Sequence, residues 1–105
     1  MPKDELEAEI KNITSQIVAK YKPEKIILFG SAVWGKFGPD SDLDFFVIKD
    51  DRRRHIERMQ EMYMLVDKNI AADFLVYTPK EVKTRLVLGD PFIKMIFEEG
   101  RVLYG

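Results

Sequence analysis

The sequence has no cysteine. That absence excludes a disulfide framework, a thiol nucleophile and a cysteine-based zinc site, and it suits a reducing compartment. No run of about 18 apolar residues occurs, and no charged leader followed by an apolar stretch and a cleavage site, so neither a membrane-spanning helix nor a secretory signal is expected. A charge excess of either sign is also missing: 17 basic residues face 18 acidic ones, for a formal net charge of −1. Domains that coat nucleic acid usually carry a clear basic surplus, so extensive nucleic-acid binding is not expected. Internal repeats, low-complexity tracts and linkers are absent as well. What remains is a chain of 105 residues, enough for one core and too short for a second, substrate-binding domain. The expectation is a single soluble domain over residues 1–105, cytoplasmic, that works with a partner.

Elements can be placed along the chain. Leu6, Ile10, Ile13 and Ile17 fall at helical spacing among charges, which predicts an amphipathic helix over 4–20, ended by Pro23. Residues 25–29, "KIILF", read as a strand, and Gly30-Ser31 as a tight exit into a short helix through Trp34. Asp42 to Ile48 predicts a second strand. A helix over 52–68 carries Ile56, Met59, Tyr63 and Val66 as its stripe, with Asp50 and Asp51 at its dipole-favoured start. "AADFLVY", 71–77, is the third strand, in which Asp73 is the one charge. Thr78-Pro79-Lys80-Glu81 is a capping box with Pro at the first helical position. Asp90-Pro91 opens a further helix that Gly100 ends, and residues 101–104 are a candidate edge strand. Strands alternating with helices predict a small mixed β-sheet with helices packed on it, a two-layer α+β fold.

The stretch "FGSAVWGKFGPDSDLDFFV" holds two motifs that fail. Gly30 to Lys36 fits the first seven positions of a phosphate-binding G-x-x-x-x-G-K-[ST] loop, but Phe37 stands where a metal-binding hydroxyl is needed. Asp40, Asp42 and Asp44 copy the opening of a calcium loop, but Phe45 replaces the turn glycine. A third reading uses the whole segment. A Gly-Ser corner at a strand end can offer backbone N–H groups and a hydroxyl to a terminal phosphate. Strand alternation puts Asp42 and Asp44 on one face, and Asp73 on a neighbouring strand would complete an oxygen cage for Mg²⁺. Two such ions can clamp the attacking and leaving oxygens of an in-line phosphoryl displacement.

Gly30-Ser31, the later Asp42-Leu43-Asp44 and the strand residue Asp73 together resemble the signature of the polymerase-beta-type nucleotidyltransferase superfamily. The chain is most similar to its minimal nucleotidyltransferases, short prokaryotic proteins often encoded beside a HEPN-domain partner. The resemblance implies that Gly30 and Ser31 hold the nucleoside triphosphate, that Asp42 and Asp44 bind Mg²⁺, and that Asp73 binds metal or activates the acceptor hydroxyl. It further implies transfer of AMP from ATP to a hydroxyl on a HEPN toxin, in the role of antitoxin. A binding module that neutralises its partner by contact, and a small-molecule transferase of the aminoglycoside type, are the alternative functions.

Other residues have plainer expectations. Lys36 reads as a solvated loop lysine and Arg52, Arg53 and Arg54 as a solvated helix start. His55 is expected on an exposed helical face, Met59, Met62 and Met64 as core filler, and Trp34 as packing for the short helix.

Overall fold

The computed structural model describes residues 2–35 and 37–105; Lys36, the lysine of the failed phosphate-loop motif, lies outside them. Helix α1 (Lys3–Tyr21) leads into β1 (Lys25–Phe29), a single 3₁₀ turn (Gly30–Ala32), β2 (Leu43–Ile48), α2 (His55–Leu65), β3 (Ala72–Tyr77), α3 (Pro79–Val87), α4 (Pro91–Glu99) and β4 (Arg101–Tyr104). The sheet order is β3-β2-β1-β4. β1 pairs antiparallel with β2 and with β4, while β2 and β3 run parallel. The sheet is therefore mixed and the class α+β, as expected.

β2 lies inside the sheet, and its near-continuous apolar run reflects burial on both faces. Phe45 and Val47 join Ile26, Leu28, Phe74 and Val76 in a core under α1 and α2. Phe46 and Ile48 join Ile27, Phe29, Val82, Ile93 and Ile96 under α3 and α4. Helices thus cover both faces, a second helical layer beyond the two layers the alternation of elements suggested. α1 buries Ile10, Ile13 and Ile17 as its spacing requires, and Lys22, in the left-handed region at φ 53°, ends it. The capping box at Thr78 and Glu81 forms in both directions, and Asp90 accepts from Phe92 N and Ile93 N to start α4.

α2 departs from its expected course. It begins at His55, not Arg52, and ends at Leu65, not Lys68. Asp51 does not sit at a helix start: its carboxylate accepts from the Tyr21 hydroxyl at 2.6 Å and from Arg53 at 2.6 and 2.9 Å. That cluster ties the β2–α2 connection to the end of α1, so the helix cannot start until it is passed. The buried stripe is also shifted. Ile56 and Tyr63 are exposed and Met64 is 85% exposed, whereas Met62 and Arg58 are buried. Arg58 is tolerated because its fork is satisfied: it donates to Glu81 at 2.6 Å and to the carbonyls of Val76 and Arg53. An arginine held this way links α2, β3 and α3.

The loop before β3 is fixed from α1. Gln16 donates to Asp67 O at 2.6 Å and accepts from Asp67 N at 2.8 Å. The buried Glu9 accepts from Asn69 N. These side chains satisfy loop backbone that would otherwise be unpaired, and they set where β3, and with it Asp73, begins.

Candidate active site

The Gly-Ser corner forms at the end of β1. Gly30 has φ +81°, a conformation glycine adopts without cost, and its carbonyl accepts from Val33 N and Trp34 N to close the 3₁₀ turn. A Cβ on Gly30 would collide with Asp44 Oδ2 and lie 3.1 Å from Asp44 Cγ. Glycine is thus required twice, by its backbone angle and by the carboxylate packed against it. Ser31, part-buried, follows in the same turn.

Register supplies the rest. Asp44 pairs across to Phe29 on β1 and stands beside Asp73 on β3. Neighbouring paired residues share a face of the sheet, so the two carboxylates lie side by side. Asp42 falls one residue before β2, outside the strand that was expected to include it. It still belongs to the cluster, because its charge acts on Asp44. Burial, then the charges of Asp73 and Asp42, raise the Asp44 carboxyl to about 6. Gly30, Ser31, Asp42, Asp44 and Asp73 are all placed at the one end of the sheet where β1 stops and β2 and β3 start.

Sequence reasoning missed one member of this group. Tyr63, read as a stripe residue of α2, packs edge-on against Phe74 and donates from its hydroxyl to Asp73 Oδ1 at 3.0 Å. Phe74 faces α2 while Asp73 faces the other way, so the tyrosine reaches round the edge strand. Burial and the bond to Asp73 raise its pKa. The only available signal was its spacing, which is that of core packing. Trp34 is 41% exposed beside the corner, so it does not serve as buried packing. His55 is exposed, as expected, with its ring edge-on to Tyr77.

The donor set fits Mg²⁺. It consists of hard carboxylate oxygens, and crowded like charges favour a bound cation. Among the described residues no group of three or more His, Cys, Asp or Glu side chains converges closely enough to hold a metal by itself. Mg²⁺ commonly binds through one or two carboxylates, with water and substrate phosphates as further ligands. The site reaches the surface: Asp73 is exposed, and Asp42 and Asp44 are part-buried.

Comparison with known proteins agrees with the fold. A crystal structure of a candidate nucleotidyltransferase from Sulfolobus solfataricus superposes with a TM-score of 0.60 at 18% identity, over 97% of this chain and 87% of that one. No curated protein matches the sequence. The sequence profile of the nucleotidyltransferase domain matches residues 8–104. The chain belongs to the nucleotidyltransferase domain family.

Proposed function

We propose that this domain transfers a nucleotidyl group, AMP from ATP, to a hydroxyl on a partner protein, with Mg²⁺ held by Asp42 and Asp44 together with the substrate phosphates and Asp73 set to activate the acceptor. The observation that carries the reading is the in-register pair Asp44 and Asp73 beside a Gly-Ser corner, with Gly30 packed directly on the Asp44 carboxylate. Carboxylates crowded together with Asp44 part-buried cost stability. A fold has little reason to keep such an arrangement unless a cation and its ligand relieve it.

Bound Mg²⁺ would offset charge on the triphosphate and on the pentacovalent transition state. The Gly30-Ser31 turn would receive the terminal phosphates through its backbone N–H groups and hydroxyl. The acceptor oxygen bonds to the α-phosphorus as the α–β bridging bond breaks, and the electron pair leaves with pyrophosphate. Asp73, the most open of the pair, would take the acceptor's proton. Its other oxygen is held by Tyr63, which fixes the carboxylate's orientation.

A protein acceptor is supported by the openness of the site. Asp73 is exposed, within reach of a hydroxyl carried on a partner's surface. In the arrangement the resemblance implies, the partner is a HEPN-domain toxin and the transferase its antitoxin. Incubation with labelled ATP, Mg²⁺ and the product of the neighbouring gene tests this by mass spectrometry. A nucleotide adduct on the partner with wild type, absent with Asp44→Asn although binding persists, is the expected result. An unmodified partner that is nonetheless neutralised would assign the contact mechanism instead.

A further inference from the structure

We infer that helix α3 is a docking ridge for a partner helix with an apolar face and an acidic rim. Leu86, Val87 and Leu88 are consecutive apolar residues exposed by 41, 79 and 73%, at the end of a helix whose buried anchor is Val82. Three exposed apolar residues in a row are unusual on a surface that only meets water. The ridge has a groove on each side. One, of 500 Å³, runs toward α4 and is lined by Lys83, Leu86, Val87 and Phe97. The other, of 620 Å³, runs toward α2 and is lined by His55, Tyr77, Lys80, Arg85 and Leu88. Apolar ridges with flanking grooves suit an amphipathic helix, which presents side chains at i, i+3, i+4 and i+7.

The rim decides the occupant. Lys80, Lys83 and Arg85 are exposed, and among the described residues no ion pair engages them. The one acidic residue of α3, Glu81, is already taken by Arg58. The two grooves are lined by Lys25, Lys80, Lys83 and Arg85 against Glu24 and the engaged Glu81, so a chain with net charge −1 shows a locally basic collar round an apolar centre. A second copy docking through the same patch would set these cations against their own equivalents, because a two-fold interface is self-complementary. Acidic side chains flanking an apolar stripe would meet them favourably and raise the association rate.

The ridge also lies away from the aspartates. Its α4-side groove borders Lys25 and Ile48, the pair four residues along the strands from Phe29 and Asp44, which is roughly 13 Å. A helix seated there leaves the catalytic end of the sheet open. Docking and nucleotidyl transfer are separable, and the inference does not rest on the proposed activity.

Two synthetic helical peptides test it, both with Leu at i, i+3, i+4 and i+7, one rimmed with Glu and one with Lys, read by fluorescence anisotropy. The Glu-rimmed peptide is expected to bind at least ten-fold tighter than the Lys-rimmed one, and to weaken as salt rises. Val87→Asp or Leu88→Ser should each cut its affinity at least ten-fold with an unchanged thermal midpoint. The double change Lys83→Glu with Arg85→Glu should reverse the preference. Equal binding of both peptides, no binding of either, or affinity that survives both apolar variants would overturn the inference. Concentration-dependent dimers in sedimentation that Val87→Asp dissolves would overturn it in favour of a second copy.

Discussion

Replacing Asp44 by asparagine should make the metal-free protein more stable while removing its activity. In the fold the Asp44 carboxyl sits at about 6, against roughly 3.9 for an unperturbed aspartate, and each pH unit of difference is worth roughly 1.4 kcal/mol. The side chain is only part-buried, so solvent screening reduces the total to roughly 1–2 kcal/mol. A carboxyl whose folded value is raised favours the fold when neutral. Below about pH 4 it is neutral in both states and has no effect; between about 4 and 6 stability falls as pH rises, and above 6 the full cost is present. Asp44→Asn is neutral at every pH. With EDTA present, its thermal midpoint by circular dichroism should exceed wild type by roughly 5–10 °C at pH 8 and match it at pH 4. An equal midpoint at pH 8, or the same gain at both pH values, would refute the assignment of the cost to crowded carboxylates. Adding Mg²⁺ at pH 8 should raise the wild-type midpoint and leave the variant unmoved.

Three further outcomes are expected. Gly30→Ala must adopt φ +81° and displace the Asp44 carboxylate, so it should cost about 1–2 kcal/mol in urea denaturation and abolish transfer. Tyr63→Phe keeps the ring against Phe74 and loses only the bond to Asp73; steady-state kinetics should show a several-fold lower kcat with an unchanged urea midpoint. Arg58→Ala leaves the half-exposed Glu81 and the Val76 carbonyl without their partner, and with water able to reach Glu81 the loss should be about 2 kcal/mol, read as a lower urea midpoint at constant slope. Retained stability in that variant would show that the buried arginine is not what joins α2 to α3.

Local chemistry made most of the elements readable from the chain. β2 and β3 announce themselves through β-branched and aromatic runs, α3 and α4 through Thr78-Pro79 and Asp90-Pro91, which specify helix starts regardless of what packs nearby. The fall of Gly30-Ser31 and Asp42-x-Asp44 on either side of one loop needed no coordinates either, but the strand alternation expected to align the two aspartates does not reach Asp42, which precedes β2.

Where α2 begins, and which of its sides is buried, depended on distant partners. Tyr21 and Arg53 hold Asp51 and delay the helix, and Glu81 together with the Val76 carbonyl makes Arg58 a core residue. Nothing in "DDRRRHIERM" distinguishes that arginine from the exposed ones around it. The same limit applies to the site. The sequence put Asp73 in a strand, but its place beside Asp44 is set by the parallel pairing of β2 and β3, and its bond to Tyr63 by the packing of α2 across the edge strand. Turns, caps and alternation are short-range and are written in neighbouring residues. Register, ion-pair partners and the meeting of side chains from different elements are decided only when the sheet and its two helical layers close on each other.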